Sequence, residues 1–538
     1  MSTAKRPNIV LIMNDDMGFS DIGCYGGEVH TPNLDRLAAG GLRLTQFYNT
    51  ARCCPTRASI LTGLHPHQTG VGHMMSDWDL DGYRGDLNDR CVTIAEVLGD
   101  AGYATYMSGK WHVSCHSGPD DAKHSWPRQR GFGRYYGIIA GAANYFAPKT
   151  LTRENNPVEL PAGDYYLTDA ISDQAARYIA QHRASEPDTP FFAYVAYTAP
   201  HWPLHALPED MERYRGRFDA GWDVLRQERL ERMVDMGLID PQWRLTDRDP
   251  TQLPWEEAAD KKWQRRRMEV YAAQIDSMDQ GIGRIVEALE QTGQLDNTLI
   301  IFLADNGGCA EELRPRFGQS RQSSAIRQDQ TRDGQPVTFG NLPELMPGGE
   351  ATYQSYGIPW ANVSNTPFRL YKHWVHEGGI ATPLIAHWPD EVQARGELRH
   401  QPAQLPDIMA TFIEVAGATY PDERNGKLIL PLEGYSMAPI FEDKPTSREA
   451  LYWEHEGNCA IRMGQWKLVK RYPGNWELYD MEADRTEMHD LAADEPDRVG
   501  ELADMWQGWA ERCDVVPWEK ANPRLRDRPD DLVKVRGM

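Results

Sequence analysis

The sequence predicts an α/β protein: a large, mixed but mostly parallel sheet flanked by helices, followed by a smaller α+β C-terminal domain that carries an antiparallel sheet. Three observations lead there. Short apolar runs are continuous rather than alternating, as strands buried on both faces are. Helical stretches lie between those runs, the arrangement that covers a sheet on both sides. After about Glu442 the pattern changes to short strands separated by turns. The expected boundaries are therefore a large domain over residues 1–442 and a small one over 443–538.

The expected parallel strands are residues 8–13, 104–108, 191–197, 299–304 and 380–387. Thr31-Pro32 starts a helix that Gly40-Gly41 stops, with Pro at the first helical position and Gly past the last. Residues 265–292 read as a long helix, because Met268, Tyr271, Ile275, Met278 and Ile282 recur every three or four positions. Residues 318–365, rich in Gln, Ser, Arg, Gly and Pro, read as a long functional loop. Residues 459–463, 466–471 and 476–479 read as antiparallel strands, with turns at Gly464-Gln465 and Pro473-Gly474. Residues 496–513 read as a terminal helix.

Composition narrows the function. The 538 residues carry a net charge of −22, so nucleic acid and anionic membranes are repelled at long range. No apolar run approaches the roughly 20 residues that span a bilayer. The apolar stretch 9–13 is too short for a signal peptide and lacks a small-residue cleavage site, so the expected location is cytoplasmic. An anionic small-molecule substrate needs a local cluster of cations to offset the global charge. The eight cysteines show no CxxC pair, and no disulfide framework is expected. The adjacent Cys53 and Cys54 stand apart from that reading.

Two of the expected strands end in carboxylates, one in Asn14-Asp15-Asp16 and one in Asp305-Asn306-Gly307-Gly308. Sites in open α/β sheets form outside the carboxyl ends of strands, which puts both groups on one edge. Three carboxylates and an amide oxygen suit a hard cation, Ca²⁺ or Mg²⁺. Acidic residues after strands also cap helices and make turns; two such groups together favour the metal. Cys53-Cys54-Pro55-Thr56-Arg57 then precedes a helix that Gly63 helps end. Cys53 at that helix N-terminus faces free N–H groups and the positive end of the dipole, and Arg57 can grip a tetrahedral oxyanion.

Cys-x-Pro-x-Arg followed by Leu61-Thr62-Gly63 resembles the signature of the type I sulfatases, of the alkaline phosphatase superfamily. In that signature the first cysteine is oxidised to formylglycine. The rest of the chain is similar in order, most of all to bacterial arylsulfatases. Arg6-Pro7-Asn8-Ile9 leads to Asp15-Asp16-Met17-Gly18, and Gly109-Lys110-Trp111-His112 follows. Then come Gly141-Ala142-Ala143-Asn144-Tyr145, Ala199-Pro200-His201-Trp202-Pro203, Asp305-Asn306-Gly307, Lys372 ahead of Glu377-Gly378-Gly379-Ile380, Gly464-Gln465-Trp466-Lys467 and Leu478-Tyr479-Asp480. Three positions depart from the pattern: Cys54 stands where Ser or Thr is common, Ala381 replaces a frequent arginine, and Val113-Ser114-Cys115-His116 differs from the usual glycine turn.

The resemblance implies an alkaline phosphatase-like fold and a sulfuric ester hydrolase of arylsulfatase type. It implies one Ca²⁺ (Mg²⁺ being the alternative) bound by Asp15, Asp16, Asp305, Asn306 and the oxygen of modified residue 53. It implies that the hydrated aldehyde attacks sulfur, with Asp305 taking the proton and Arg57, Lys110, His201 and Lys372 neutralising the sulfate. His201, with Lys372, would stabilise the departing oxygen, and His112 would drive collapse of the covalent sulfated residue. The implied partners are a sulfate ester substrate and a formylglycine-generating enzyme. Phosphonate monoester hydrolases and phosphodiesterases share the fold and metal edge, which implies side activity on such esters. Read singly, each residue has a plainer explanation: a solvated lysine, or a core histidine beside Trp111.

Overall fold

A computed structural model describes residues 6–315, 325–446 and 448–527. Its centre is an 11-stranded sheet. The strands that position the site are β1 (Asn8–Asn14), β2 (Leu42–Tyr48), β3 (Ala104–Gly109), β4 (Arg134–Ile138), β5 (Leu151–Arg153), β6 (Asn156–Pro157), β7 (Phe191–Ala196) and β8 (Thr298–Ala304). β1 lies between β7 and β8 and is parallel to both; β3 is parallel to β7 and β4. Asn14 pairs with Ala304, and Met13 and Gly109 both pair with Ala196. Four strand ends therefore finish level, and the residues just past them share one edge.

The continuous apolar runs mean burial on two faces. Along β1, Val10 and Ile12 enter one core while Ile9, Leu11 and Met13 enter the other. Ile300 and Phe302 of β8 alternate with Leu299, Ile301 and Leu303 in the same way. The helix predicted after Thr31 forms as α1 (Pro32–Ala39), with Pro32 at its start and Leu34, Leu37 and Ala38 turned into the core. The helix Lys261–Gln291 covers one face of the sheet with Met268, Ile275, Met278 and Ile282, as the three- and four-residue spacing predicts.

The strand expected over 380–387 forms as Ala381–His387, but it is antiparallel to both β2 and β8. The segment before it holds Lys372 at the carboxyl edge, so the chain enters this strand from the site and must run back. β2 has no continuous apolar run to announce it, because half-buried Arg43 and Gln46 interrupt its burial. Of the loop expected over 318–365, residues 318–324 lie outside the described residues. The remainder holds a short parallel pair, Thr338–Phe339 with Thr352–Tyr353, and the helix Gly357–Ser364, which its Gly and Pro disguised.

The C-terminal antiparallel sheet has four strands: Leu451–His455, Asn458–Met463, Trp466–Lys470 and Trp476–Asp480. One face packs Ile461, Leu468 and Leu478 against Leu502, Trp506 and Trp509 of the helix Pro496–Arg512. Ala460, Val469 and Tyr479 on the other face join the large core. A buried ion cluster ties the two sheets. Lys467 Nζ and Arg485 Nε each lie 2.9 Å from a different carboxylate oxygen of Glu377, and Lys467 also reaches Glu487 at 2.7 Å. Ala381, at the position where the resemblance makes an arginine frequent, is buried against β2. All eight cysteines are free thiols. Among the described residues no helix is long and apolar enough to cross a membrane.

Candidate active site

The sheet edge brings together Asp15, Asp16, Cys53, Arg57, Lys110, His201, Asp305, Asn306 and Lys372. Asp15 and Asp16 follow β1 and Asp305 and Asn306 follow β8; all four are buried. Asp305 N–H donates to Asn14 O at 3.2 Å, and Asp16 N–H donates to Asp305 Oδ1 at 3.1 Å, which locks the two strand ends together. Asp16 has φ 68°, a left-handed backbone that short polar side chains tolerate best and that turns its carboxylate into the cluster.

Cations surround these acids. Arg57 Nη2 lies 2.8 Å from Asp305 and 3.8 Å from Asp15. Lys110, placed by the end of β3, pairs with Asp15. Lys372 Nζ lies 2.7 Å from Asp16 Oδ1, and its backbone N–H donates to Gly308 O at 3.2 Å. Burial and the neighbouring Asp15 push the Asp305 carboxyl well above its usual range, and burial also raises Asp15. Asp16 goes the other way: burial opposes it, but His201 and Lys372 hold it well below.

This donor set fits a divalent cation. Asp15 Oδ1 and Asn306 Oδ1 are buried with no hydrogen-bond partner, as are both amide atoms of Asn14. Orphaned buried oxygens of this kind are costly unless something binds them. Ligand atoms of Asp15, Asp16 and His201 also lie within 4.8 Å of one another. A hard cation among three buried carboxylates would relieve the crowding that now raises two of them.

Cys53 opens the helix α2 (Cys53–Thr62), which ends at Gly63 with φ 70°. Every residue of α2 is buried, so Cys53 lies beneath the surface with the helix dipole behind it. A hydrogen bond from the Cys54 thiol, together with His112, Lys110 and Lys372, holds the Cys53 thiol well below the usual cysteine range against its burial. Position 53 is therefore built to carry negative charge. Its sulfur stands where the oxygen of a modified residue would be.

The two histidines differ. His201 Nδ1 lies 2.6 Å from Trp202 O, and a carbonyl only accepts, so Nδ1 carries the proton. Nε2, 3.4 Å from Asp16 and 3.5 Å from Lys372 Nζ, then donates only when the ring is an imidazolium. Burial lowers its pKa to about 4, so an anion must bind beside it before it charges near neutrality. The loop is held by the Tyr145 hydroxyl, 2.8 Å from both Thr198 O and His201 O. Tyr145 thus packs and positions rather than facing a substrate.

His112 has φ 58°, and burial and Lys110 lower its pKa to about 3. Its Nε2 lies 3.1 Å from Cys54 Sγ, which gives the unusual Cys54 a definite partner, and its Nδ1 is buried without one. A Cβ on Gly141 would sit 2.1 Å from His112 Nε2. Gly141→Ala is therefore expected to displace the ring and lower kcat about 10²-fold, the cost of a misplacement near 1 Å, with KM little changed. Steady-state kinetics check this, and an unchanged kcat would show that His112 needs no fixed position.

Sequence spacing gave no hint of His73, His373 and His455, which come from three separate segments. His73 and His373 lie 3.1 and 3.0 Å from Glu456, and His455 lies 3.7 Å away. They adjoin the site through the His373 N–H, which donates to Ala51 O at 2.7 Å. Only a spatial arrangement reveals such a cluster.

Comparison with known proteins agrees with this geometry. A family model described as Sulfatase matches residues 7–418, and one described as N-sulphoglucosamine sulphohydrolase, C-terminal, matches 368–505. An uncharacterized sulfatase of Schizosaccharomyces pombe is 35% identical over 494 residues, covering 87% of this chain and 86% of its own. An arylsulfatase of Klebsiella aerogenes is 33% identical over 476 residues, covering 83% of this chain and 94% of its own. Among solved structures, Ps i-CgsB in complex with k-i-k-neocarrahexaose superposes with a TM-score of 0.68 at 25% identity, covering 98% of this chain and 99% of that one.

Proposed function

The chain belongs to the type I sulfatase family and is a sulfuric ester hydrolase; from that premise we propose that it cleaves organic sulfate monoesters of aryl type, with residue 53 as formylglycine beside one Ca²⁺. The observation that carries this reading is the convergence of Arg57, Lys110, Lys372 and His201 on three buried carboxylates next to Cys53. In a chain of net charge −22, these are the local cations that an anionic ester needs.

Asp15, Asp16, Asp305 and Asn306 would hold the cation. The cation and the modified residue would together supply a polarised sulfate and an activated oxygen nucleophile. The remaining steps fall to the chain's own groups. Arg57 and Lys110 orient the sulfate oxygens, as pre-arranged donors in a buried site. Asp305, held 2.8 Å from Arg57 Nη2 and kept ionised by that guanidinium and the cation, would take the proton of the attacking hydroxyl. Lys372 is kept charged by Asp16 despite burial, and with His201 it meets the leaving oxygen. His112, held neutral, serves as base on the residue-53 side. Maturation would require an enzyme that oxidises Cys53. The fold shared with phosphonate hydrolases makes phosphonate and phosphodiester turnover a side activity to assay on the same panel.

The leaving-group role is testable. In His201→Ala, an unactivated phenyl sulfate is expected to lose about 10²-fold or more in kcat/KM, the worth of a general acid, while nitrophenyl sulfate loses less than about tenfold. A good leaving group needs little protonation in its transition state. Equal losses across a panel of leaving groups would assign His201 to sulfate binding instead.

A further inference from the structure

We propose that Asp86, Cys115, His116 and His124 form a second metal site, one for a zinc-class divalent ion, apart from the carboxylate edge. The departure from the family pattern after His112 places a thiol and an imidazole side by side, with a second imidazole eight residues on. The fold brings all three to a single carboxylate oxygen. Asp86 Oδ2 lies 3.0 Å from Cys115 Sγ, 3.3 Å from His116 Nε2 and 3.7 Å from His124 Nε2.

The two imidazole spacings match the edges of a tetrahedron, and the thiol lies slightly closer, at hydrogen-bond distance. Bonds of about 2.0–2.3 Å from zinc to O, N and S set ligand–ligand edges of roughly 3.3–3.8 Å. Ligand atoms of Asp86, Cys115 and His116 lie within 4.8 Å of one another. His124 is 59% exposed, so its ring is free to turn the short way in as fourth ligand.

The carboxylate is already aimed. Asp86 Oδ1 accepts from Ser125 Oγ at 2.5 Å and from Cys115 N–H at 3.1 Å. That leaves Oδ2 for the thiol and the imidazoles. Outer bonds that orient a ligating oxygen are a regular feature of metal sites. The donor set also decides the metal: one sulfur and two nitrogens suit Zn²⁺, whereas the oxygen-rich edge around Asp15 suits Ca²⁺. Binding would exchange the Cys115 thiol proton for a metal–thiolate bond and release that proton, so affinity rises with pH. The ion would clamp the 114–125 loop, which begins two residues after His112, onto the segment that carries Asp86.

The test is titration of the full-length, chelator-stripped protein with Co²⁺ alone. One equivalent is expected to give an intense near-ultraviolet thiolate-to-cobalt absorption that Zn²⁺ abolishes. Cys115→Ser should remove the band. His116→Asn, at a position whose side chain is 37% exposed, should weaken binding at least about 100-fold, more than loss of an outer-shell partner costs. No band in the wild-type protein would overturn the site. A band that survives in Cys115→Ser would overturn it too, by pointing to the buried Cys53, Cys54 and His112.

Discussion

Cys53→Ala is expected to lower sulfate ester turnover by about 10⁵–10⁶-fold, the scale seen when a covalent nucleophile is removed, while the protein still folds. Alanine is the best helix former and position 53 begins a helix, so α2 should persist. Chemistry, in contrast, loses its only nucleophile. The surrounding charges were arranged for an anion at 53: Lys110 and Lys372 act on it, and Cys54 donates to it. With alanine there, the cations keep their carboxylate partners but have nothing to activate. The companion measurement is the mass of the tryptic peptide 53–57, which lies between Arg52 and Arg57. Active protein should carry the aldehyde or its hydrate at 53, and the thiol should be confined to inactive molecules. Full activity from a sample with an intact thiol would end the proposed mechanism. An unmodified fraction would be inactive for a physical reason: a thiolate beside Asp15 and Asp305 adds charge to the cluster without supplying a second oxygen.

Much of this site was legible because the sheet edge is written locally. A continuous apolar run followed at once by Asn-Asp-Asp or Asp-Asn-Gly reports both the strand and the group at its end, so Asp15, Asp16, Asp305 and Asn306 could be read before any fold was known. Arg57 followed the same logic, being one turn into α2, whereas Lys110, one step past β3, came from the resemblance. Lys372 and His201 came from the resemblance alone, since their loops carry no periodic signal. The antiparallel course of Ala381–His387 was hidden because a strand buried on both faces looks the same in either direction. The Glu377–Lys467–Arg485 cluster was equally hidden, because residues about 100 positions apart meet only once the small sheet docks. Local chemistry is visible in a sequence; long-range pairing becomes visible only when the topology is known.

Asp16→Asn is expected to lower activity by about 10²–10³-fold, the several kcal/mol that a polarising metal contributes, and to abolish the stabilisation of the protein by Ca²⁺. Asparagine keeps the shape, one oxygen and tolerance for φ 68°, so the backbone turn is spared. It removes the charge that Lys372 and His201 face at 2.7 and 3.4 Å. Losing one partner of a buried ion pair costs about 3–5 kcal/mol on its own, and that loss appears with or without metal. The informative quantity is therefore the increment. Wild-type protein, stripped by chelation, should gain about 2.7 kcal/mol when Ca²⁺ is restored to 100 times Kd, because only the native state binds it. Asp16→Asn should gain nothing at the same concentration. Thermal melts of both proteins with and without Ca²⁺ read this directly, and elemental analysis should find one Ca²⁺ per wild-type chain. Zinc at Cys115 would not confuse the result, since Cys115→Ser should leave the Ca²⁺ increment intact. A wild-type enzyme that is fully active without a stoichiometric divalent ion at the carboxylate edge would leave the crowding of Asp15, Asp16 and Asp305 to be balanced by Arg57, Lys110 and Lys372 alone, and the cation would have to be removed from the mechanism.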